Sequence, residues 1–440
     1  MHRLIDAVAA VAADPVLRRR LQRGFVWNIV ATGFNQGSTF LLSLAVANLL
    51  GRERFGAYAL IQSTLLLVGG VAQLAMGFTT TKYVAELRAS APERAARIVA
   101  MCVTIATLAG LGGAAMAWTF APSIAALVEQ PSIEPLIRLG APIVFFMSLS
   151  GVCTGALAGF ERFRVIAIVG AAGGTIYLAA GTLGAIRWGL PGVVGGVAVA
   201  WAVQTALLTA AAWRAASRQS VIIGLRAFRE MAAEGRVLWH FALPAALTGF
   251  TITPTVWIVN AVLARQPGGI AAVAIFTASN SLRIIVLLVP ILLNGVGTAL
   301  INDAYGRGNE TAYSRIFLVN LAAVTATALV AMGVLMAGAP WALRVFGKSF
   351  VEGRGALIVL LASAPVEALW SAWYLVIQTH GRMWVSFLRI ALPRDGSIVV
   401  STFLLVPRYG ALGASLAFLI GAAMALFGVI VNTRQIAIRK

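Results

Sequence analysis

The chain has 440 residues, of which 60% are hydrophobic and only 11% are charged. This composition excludes an ordinary soluble domain, in which about a quarter of the residues carry a charge. A formal net charge of +19 would by itself suit a nucleic-acid-binding protein. The basic residues, however, cluster at the ends of apolar stretches rather than along one face, so we expect no nucleic-acid partner.

Apolar stretches of membrane-spanning length recur along the whole chain. A helix needs about 20 mostly apolar residues to cross a bilayer, because its backbone groups must bond internally where there is no water. We predict twelve spans, at residues 24–50, 57–81, 98–120, 139–159, 165–186, 190–213, 237–264, 270–302, 316–338, 355–379, 383–407 and 410–432. The sequence therefore predicts an all-α integral membrane protein.

The segments outside the spans are short and basic. Residues 1–23 end in a run of arginines that suits a basic amphipathic segment at the cytoplasmic membrane surface, with a disordered arm as the alternative. The predicted organisation is this segment, a six-helix bundle at 24–213, a basic cytoplasmic linker at 214–236, a second six-helix bundle at 237–432 and a cytoplasmic tail at 433–440.

The distribution of basic residues predicts the orientation. If the N-terminus is inside, the inner segments hold 22 of the lysines and arginines and the outer loops hold nine. Because positive charge accumulates on the cytoplasmic side, we expect a multi-pass protein of the inner, or cytoplasmic, membrane with both termini in the cytoplasm.

Three weak sequence matches indicate an internal duplication. They occur in the same order, with offsets that grow slowly along the chain: Arg23–Trp27 with Arg236–Trp239, Phe55–Ser63 with Val273–Ser281, and Gly189–Gly192 with Gly410–Gly413. Six spans per repeat is an even number, so both halves would have the same orientation. We therefore predict two pseudo-symmetric six-helix bundles, an architecture typical of transporters.

Three motifs resemble those of a known family. Leu49-Leu-Gly-Arg-Glu-Arg-Phe-Gly-Ala-Tyr58 resembles the loop after its first helix, Gln378-Thr-His-Gly-Arg382 its turn between helices ten and eleven, and Leu405-Val-Pro-Arg-Tyr-Gly-Ala-Leu-Gly-Ala-Ser415 its motif before helix twelve. The family is the polysaccharide flippases of the multidrug/oligosaccharidyl-lipid/polysaccharide (MOP) exporter superfamily, and the similarity extends over essentially the whole chain.

This resemblance implies an O-antigen, capsule or exopolysaccharide flippase without enzymatic activity. Such a transporter moves a polyprenyl-diphosphate-linked glycan from the inner to the outer leaflet by alternating access, through a cavity lined by helices 1, 2, 7 and 8. The implied partners are this lipid-linked glycan, the bilayer and other membrane proteins of polysaccharide assembly. No cofactor is expected, and a proton or sodium gradient is the candidate energy source.

Neutral polar side chains are frequent in the first two predicted spans. Those that we expect to line the cavity and bind sugar hydroxyls are Asn28, Thr32, Asn35, Gln36 and Thr39 in the first span and Gln62 and Gln73 in the second. Spacings of three or four residues place much of the first set on one helix face. Hydrogen bonding between helices is the alternative role for them.

Two basic residues are candidates for binding the diphosphate. Arg283 lies deep in the eighth span close to Asn280, and a guanidinium can bind phosphate through paired N–H donors. A snorkelling or carbonyl-bonded arginine is the alternative. Lys82, at the cytoplasmic end of the second span, would guide the headgroup inward or serve as an ordinary helix-end anchor.

A second group of charges lies in the tenth and eleventh spans. Its members are Glu367, Arg389, Arg394 and Asp395. One interpretation is a fixed network in which these charges neutralise one another. The other is ion coupling through Asp395 and Glu367, because an acid beside a broken helix can bind a proton or a cation.

Other functions have less support in the sequence. A multidrug exporter of the same superfamily is the main alternative, although organic cations would favour a more acidic pocket. A membrane glycan polymerase or ligase would be expected to carry a long external loop, and the predicted outer loops are short. No phosphate-binding Gly-Lys-Ser/Thr loop and no metal-ligand spacing occur in the sequence.

Overall fold

The structure is a computed structural model. It describes residues 15–242, 252–306, 308–380 and 383–437, and these residues form helices and turns without any β-strand. The first 14 residues of the predicted N-terminal segment and the last three of the predicted tail lie outside the described residues.

The first part of the chain contains ten α-helices among its described residues. They are α1 (Pro15–Leu50), α2 (Arg52–Ala72), α3 (Met76–Leu87), α4 (Pro92–Thr119), α5 (Ala121–Leu127), α6 (Glu134–Gly140), α7 (Pro142–Gly159), α8 (Phe163–Arg218), α9 (Leu225–Glu230) and α10 (Ile252–Ala264). Helix α1 begins at a proline, and its 36 residues extend about 54 Å. It is therefore longer than the hydrocarbon core, and the N-terminal arginines continue the first span as helix.

The second part contains six α-helices among its described residues. They are α11 (Gly269–Gly306), α12 (Glu310–Ala337), α13 (Ala339–Arg344), α14 (Arg354–Thr379), α15 (Met383–Ser386) and α16 (Leu392–Ala437). A single π-helical turn, Phe387–Ala391, connects α15 to α16.

Among the described residues, eight helical stretches are long and apolar enough to cross a membrane. Two of them, α8 and the stretch that contains α16, are each a pair of antiparallel helices joined at a hinge, as described below. Helices α1 and α10 correspond to the predicted first and seventh spans. Counted in this way, the observed helices match the predicted spans in number and order.

The two hinges have the same backbone conformation. Gly189 in α8 has φ 64° and ψ −141°, and Gly410 in α16 has φ 54° and ψ −129°. These left-handed values favour glycine. The chain turns back at the first hinge. This brings the backbone of Gly192 so close to Gly184 that a Cβ on Gly184 would collide with it. The two glycines are the ones that the predicted internal repeat aligns with each other.

The predicted second span is interrupted, which is a difference from the continuous helix expected at 57–81. Helix α2 ends at Ala72 and α3 begins at Met76, and Leu74 and Ala75 between them have φ of 43° and 54°. Non-glycine residues rarely adopt these left-handed values. Hydropathy alone does not reveal the interruption, because the intervening residues include apolar Leu74 and Ala75.

The chain forms two compact units, one containing residues 24–264 and the other containing residues 265–440. The linker after α8 belongs to the first unit and is folded against it. Val221 and Ile223 are buried in the same apolar cluster as residues of α4 and α7. Glu234 is also buried and forms ion pairs with Arg94 and Arg97 at the start of α4.

Candidate functional site

Arg283 lies far inside a membrane-spanning helix. It is 14 residues after the start of α11, which corresponds to about 21 Å along the helix axis. The residue is only 8% exposed. A buried charge at this depth costs several kcal/mol unless partners compensate it, so its contacts define the most informative site in the second unit.

All three guanidinium nitrogens of Arg283 have partners. Nε donates a hydrogen bond to the Ser363 hydroxyl at 3.1 Å, and Nη1 donates to Asn280 Oδ1 at 2.8 Å. Nη2 donates to Glu367 Oε2 and completes an ion pair. The Phe418 ring lies against the guanidinium, with its centroid 5.4 Å from Cζ. Helices α11, α14 and α16 thus meet around one positive charge.

Glu367 pairs across the bundle rather than with the arginines that follow it in sequence. It lies near the middle of α14, 12 residues before the last residue, Thr379. The sequence grouped it with Arg389, Arg394 and Asp395, but its ion pair is with Arg283, 84 residues away. The rotation of α14 about its axis, which hydropathy does not specify, determines which arginine the carboxylate reaches.

Arg394 and Asp395 form a second, local ion pair. Nε and Nη2 of Arg394 donate to the two carboxylate oxygens at 2.8 and 3.1 Å. Arg394 Cζ also lies 5.5 Å from the centroid of the Trp370 ring on α14. Arg389 donates a hydrogen bond to Asn432 Oδ1 at 3.2 Å. The predicted neutralisation is therefore present between Arg394 and Asp395, whereas Glu367 pairs elsewhere.

A neutral polar cluster in the same unit was not identified from the sequence. Asn294 on α11 donates to the Ser371 hydroxyl at 3.0 Å, and Asn320 on α12 donates to Asn294 Oδ1 at 2.9 Å. The sequence signal that could have revealed this cluster is the presence of an asparagine within each of two strongly apolar helices. Their contacts join α11, α12 and α14 and suit the role of hydrogen bonds between membrane helices.

The first unit also contains an internal polar cluster, but without charge. The hydroxyl groups of Tyr58 and Tyr177 are 3.0 Å apart, and Gln62 Nε2 donates to Tyr177 at 3.3 Å. Gln62 is thus engaged within its own unit. Trp257 donates to the Thr64 hydroxyl at 3.0 Å and connects α10 to α2.

The polar residues of the first span differ in their exposure. Asn35 and Gln36 are exposed, whereas Thr32 and Thr39 are half-buried. The Thr39 hydroxyl donates to the backbone carbonyl of Asn35 at 3.0 Å, which uses its hydrogen within the helix. The side chain of Asn28 lies outside the described part of the structure.

Two further candidates lie on α2 and α3. Lys82 is exposed on α3, with its ammonium group 4.9 Å from the centroid of the Tyr83 ring. Gln73 is half-buried at the end of α2, immediately before the left-handed residues that interrupt the span. Within the described ranges, no group of three or more His, Cys, Asp or Glu side chains is arranged to hold a metal ion.

Comparison with known proteins identifies the fold. No protein-family model matches the chain, and no curated protein matches it in sequence. Among solved structures, a multidrug resistance MATE family transporter of the MOP superfamily, in its inward-facing conformation, superposes with a TM-score of 0.77 at 17% identity, covering 93% of this chain and 98% of that one.

Two other solved structures extend this similarity. The lipid II flippase MurJ, in an inward closed conformation, has a TM-score of 0.75 at 13% identity, covering 93% of this chain and 87% of MurJ. A MOP superfamily transporter from Pyrococcus furiosus, described as having a binding pocket of reverse polarity, has a TM-score of 0.67 at 18% identity, with 95% of both chains covered.

These similarities confirm the predicted fold. The chain is an all-α integral membrane protein with about 12 transmembrane helices in two pseudo-symmetric six-helix bundles, the architecture of its MATE and MurJ neighbours. Its structural neighbours are transporters rather than enzymes. At these identities the comparison defines the fold alone, so the substrate has to be argued from the residues.

Proposed function

We propose that the chain is a flippase that moves polyprenyl-diphosphate-linked oligosaccharide from the inner to the outer leaflet by alternating access. The observation that supports this proposal best is the buried Arg283 with its neighbours Asn280 and Ser363. Together they place a guanidinium, which Glu367 also pairs with, beside neutral hydrogen-bonding groups in the middle of a span. This combination suits a diphosphate with sugars attached.

The physical task is to carry a polar headgroup across hydrocarbon. A diphosphate and its sugars would be very costly to move through lipid unaided, whereas the polyprenyl tail can remain in the bilayer. In the proposed transporter Arg283 binds the diphosphate and Lys82 guides it inward. The sugar hydroxyls are bound by the polar residues of the first two spans, Asn28, Thr32, Asn35, Gln36, Thr39, Gln62 and Gln73. The product would serve O-antigen, capsule or exopolysaccharide assembly, together with other membrane proteins of that process.

The proposed location is the cytoplasmic membrane, with both termini and the linker after α8 inside. The excess of basic residues in the predicted inner segments supports this orientation. Tags placed after Lys440 and within residues 214–236 should be protected from protease added outside intact cells. Cleavage of the linker tag from outside would contradict the orientation.

A multidrug exporter is the second candidate, supported by the similarity to MATE transporters. It differs in the charge that its binding site needs. An organic cation is best bound by uncompensated acids, but half-buried Glu367 and buried Asp395, the two acids near mid-span in the described part of the second unit, are each paired with an arginine. Neither acid is therefore left uncompensated to bind an organic cation, whereas the Arg283 guanidinium can bind an anion if Glu367 is displaced.

A reconstitution experiment distinguishes these candidates. Proteoliposomes would contain a fluorescent polyprenyl-diphosphate oligosaccharide, and its transfer would be measured as protection from an external quencher. Arg283→Ala should abolish transfer, and Arg283→Lys should keep part of it through charge alone. Arg408→Ala, which removes an exposed arginine of the same unit, is the matched control and should transfer at the wild-type rate.

Two outcomes would contradict the proposal. If the wild-type protein leaves the lipid-linked glycan in place but exports an organic cation such as ethidium, the multidrug function is correct. If the Arg283→Ala variant transfers the glycan at the wild-type rate, the headgroup is bound at another position.

A further inference from the structure

Each of the three guanidinium nitrogens of Arg283 has an internal partner, so a diphosphate that binds there meets one of these partners at every nitrogen. The partners are Ser363, Asn280 and Glu367. A guanidinium recognises phosphate best when two adjacent N–H groups face two oxygens. A diphosphate that engages Nη1 and Nη2 together would lie beside the Glu367 carboxylate, and because both groups are negative, its binding is opposed unless that carboxylate moves away.

Glu367 is the partner best suited to leave. Its side chain is 28% exposed, whereas that of Arg283 is 10% exposed. Ser363 is fully buried and donates its own hydrogen to the Leu360 carbonyl at 2.7 Å, which holds the hydroxyl in place. Glu367 is also the partner that carries the same sign of charge as the ligand, so the two compete directly for the guanidinium.

We propose that Glu367 acts as an internal competitor that occupies the anion site of Arg283 in the substrate-free protein and is displaced by the diphosphate of the substrate. This inference rests on the proposed function and adds a specific exchange step to it. The substrate-free site keeps its buried arginine compensated by the carboxylate. The loaded site has the phosphate in the place of that carboxylate.

The exchange has a consequence for the charge within the membrane. The two ion pairs of the site, Arg283 with Glu367 and Arg394 with Asp395, sum to zero. Arg389, five residues before Arg394, adds one positive charge and donates a hydrogen bond to Asn432, so it offsets only part of the charge of a diphosphate. Helix α12 carries two charged residues, Glu310 and Arg315, and both lie in its first two turns. Adding a diphosphate therefore leaves the site with excess negative charge, which is costly at this depth.

A cation that enters with the substrate would remove this excess charge. Arg394 is an alternative partner for Glu367, because it packs on Trp370, three residues further along α14. Arg394 already donates to both carboxylate oxygens of Asp395, so Arg394 cannot fully neutralise a second carboxylate. The released Glu367 is consequently the group that receives a proton or a sodium ion, and diphosphate binding is coupled to cation uptake.

The same exchange predicts selectivity among anions. A monovalent anion would only replace one negative charge by another and gains little from displacing Glu367. A diphosphate brings more charge and more acceptor oxygens, so it can engage Nη1 and Nη2 together. The internal carboxylate would thus prevent common monovalent anions from occupying the site.

Binding measurements on the purified full-length protein in detergent test the exchange. The probe is inorganic pyrophosphate, with geranyl diphosphate as a second probe that carries a prenyl group, and calorimetry gives the affinity. Glu367→Gln removes the competing charge but keeps the shape of the side chain, and we expect it to bind pyrophosphate at least ten-fold more tightly than the wild type. Glu161→Gln, which removes an exposed partner of Arg88, should leave the affinity unchanged.

Cation uptake is measured in the same experiments. Titrations in buffers of different ionisation heat report protons taken up per pyrophosphate, and titrations with and without sodium report sodium linkage. The wild type should show one of the two linkages, and Glu367→Gln should lose it. If Glu367→Gln yields too little folded protein, the cation dependence of pyrophosphate binding to the wild type tests the exchange instead. A wild-type affinity that is independent of both protons and sodium overturns the exchange.

The possible failures are separable. If Glu367→Gln binds pyrophosphate with wild-type affinity while Arg283→Ala does not bind it, the anion site exists but Glu367 does not compete for it. If Arg283→Ala also binds with wild-type affinity, Arg283 is not the anion site, and the diphosphate contact in the proposed function fails as well.

Discussion

The two units of this chain place their ion pairs at different positions along the helices. In the described part of the first unit, the ion pairs lie at helix ends and in the linker, as with Arg138–Glu134 and Arg226–Glu230. In the described part of the second unit, Arg283–Glu367 and Arg394–Asp395 lie near the middle of spans. Both pairs named in the first unit are partly exposed to water, whereas charges at mid-span need a partner.

The polar contacts described within the spans of the first unit are neutral, whereas those of the second unit include charged pairs beside the neutral Asn294 cluster. The buried polar contacts of the first unit include the Tyr58–Tyr177 pair and the hydrogen bond from Gln62. Neutral groups satisfy one another without a large desolvation cost, so they suit permanent contacts and sugar hydroxyls. Paired charges can exchange partners with an ionic ligand. For this reason the proposed function assigns the diphosphate to the second unit.

The largest expected effect comes from breaking the mid-span pair. Arg283→Met should lower the free energy of unfolding by about 3–5 kcal/mol, because it strands Glu367 in the membrane. Arg138→Met, the matched change at a helix end, should cost about 0–1 kcal/mol because its partner is partly solvated. Unfolding in mild detergent by titration with a denaturing detergent measures both.

A double variant sharpens this test. Arg283→Met combined with Glu367→Gln removes both charges and should recover much of the loss. If Arg283→Met and Arg138→Met lower the free energy of unfolding equally, the mid-span ion pair of the second unit contributes no more than the helix-end ion pair of the first.

An intermediate effect is expected for Asp395. Asp395→Asn leaves Arg394 with a neutral partner, so the yield of monodisperse protein should fall. If the Glu367 exchange is the coupling step, the surviving Asp395→Asn protein should transfer substrate with the same dependence on an imposed proton or sodium gradient as the wild type. Loss of gradient dependence at normal yield would instead assign ion coupling to Asp395.

The smallest effect is expected in the linker of the first unit. The hydrogen bond that Arg226 donates holds the pKa of the Glu230 carboxyl below its ordinary value, and further contributions come from the charges of Arg226 and Arg97. A depressed pKa contributes stability that is present above the pKa of the unfolded chain and lost as the pH falls through the folded value.

The measurement compares melting temperatures at pH 7 and in the acid range below the ordinary pKa of Glu, about 4.3. Wild-type protein should lose slightly more stability on acidification than Glu230→Gln, because the variant has no carboxylate to protonate at this position. A loss as large as that caused by Arg283→Met would contradict a minor role for this exposed pair.

Much of the fold could be predicted because its signals are local in sequence. Hydropathy over windows of span length identified the helices, and the weak repeat correctly aligned Gly189 with Gly410, the two hinge glycines. The interruption at Leu74 and Ala75 was missed, since the strained backbone there occurs in an otherwise apolar stretch. Arg283 and Asn280 were both named as candidates from the sequence, and the structure shows the hydrogen bond between them.

The sequence by itself determined that this protein is an all-α membrane protein with two similar bundles, since the cost of exposing charges and backbone groups to lipid acts on each segment separately. Only the tertiary structure decided that Glu367 pairs with Arg283, and that Ser363 and Phe418 complete the site. Such contacts between distant segments depend on the rotation and packing of whole helices, which the order of apolar and polar residues leaves undetermined.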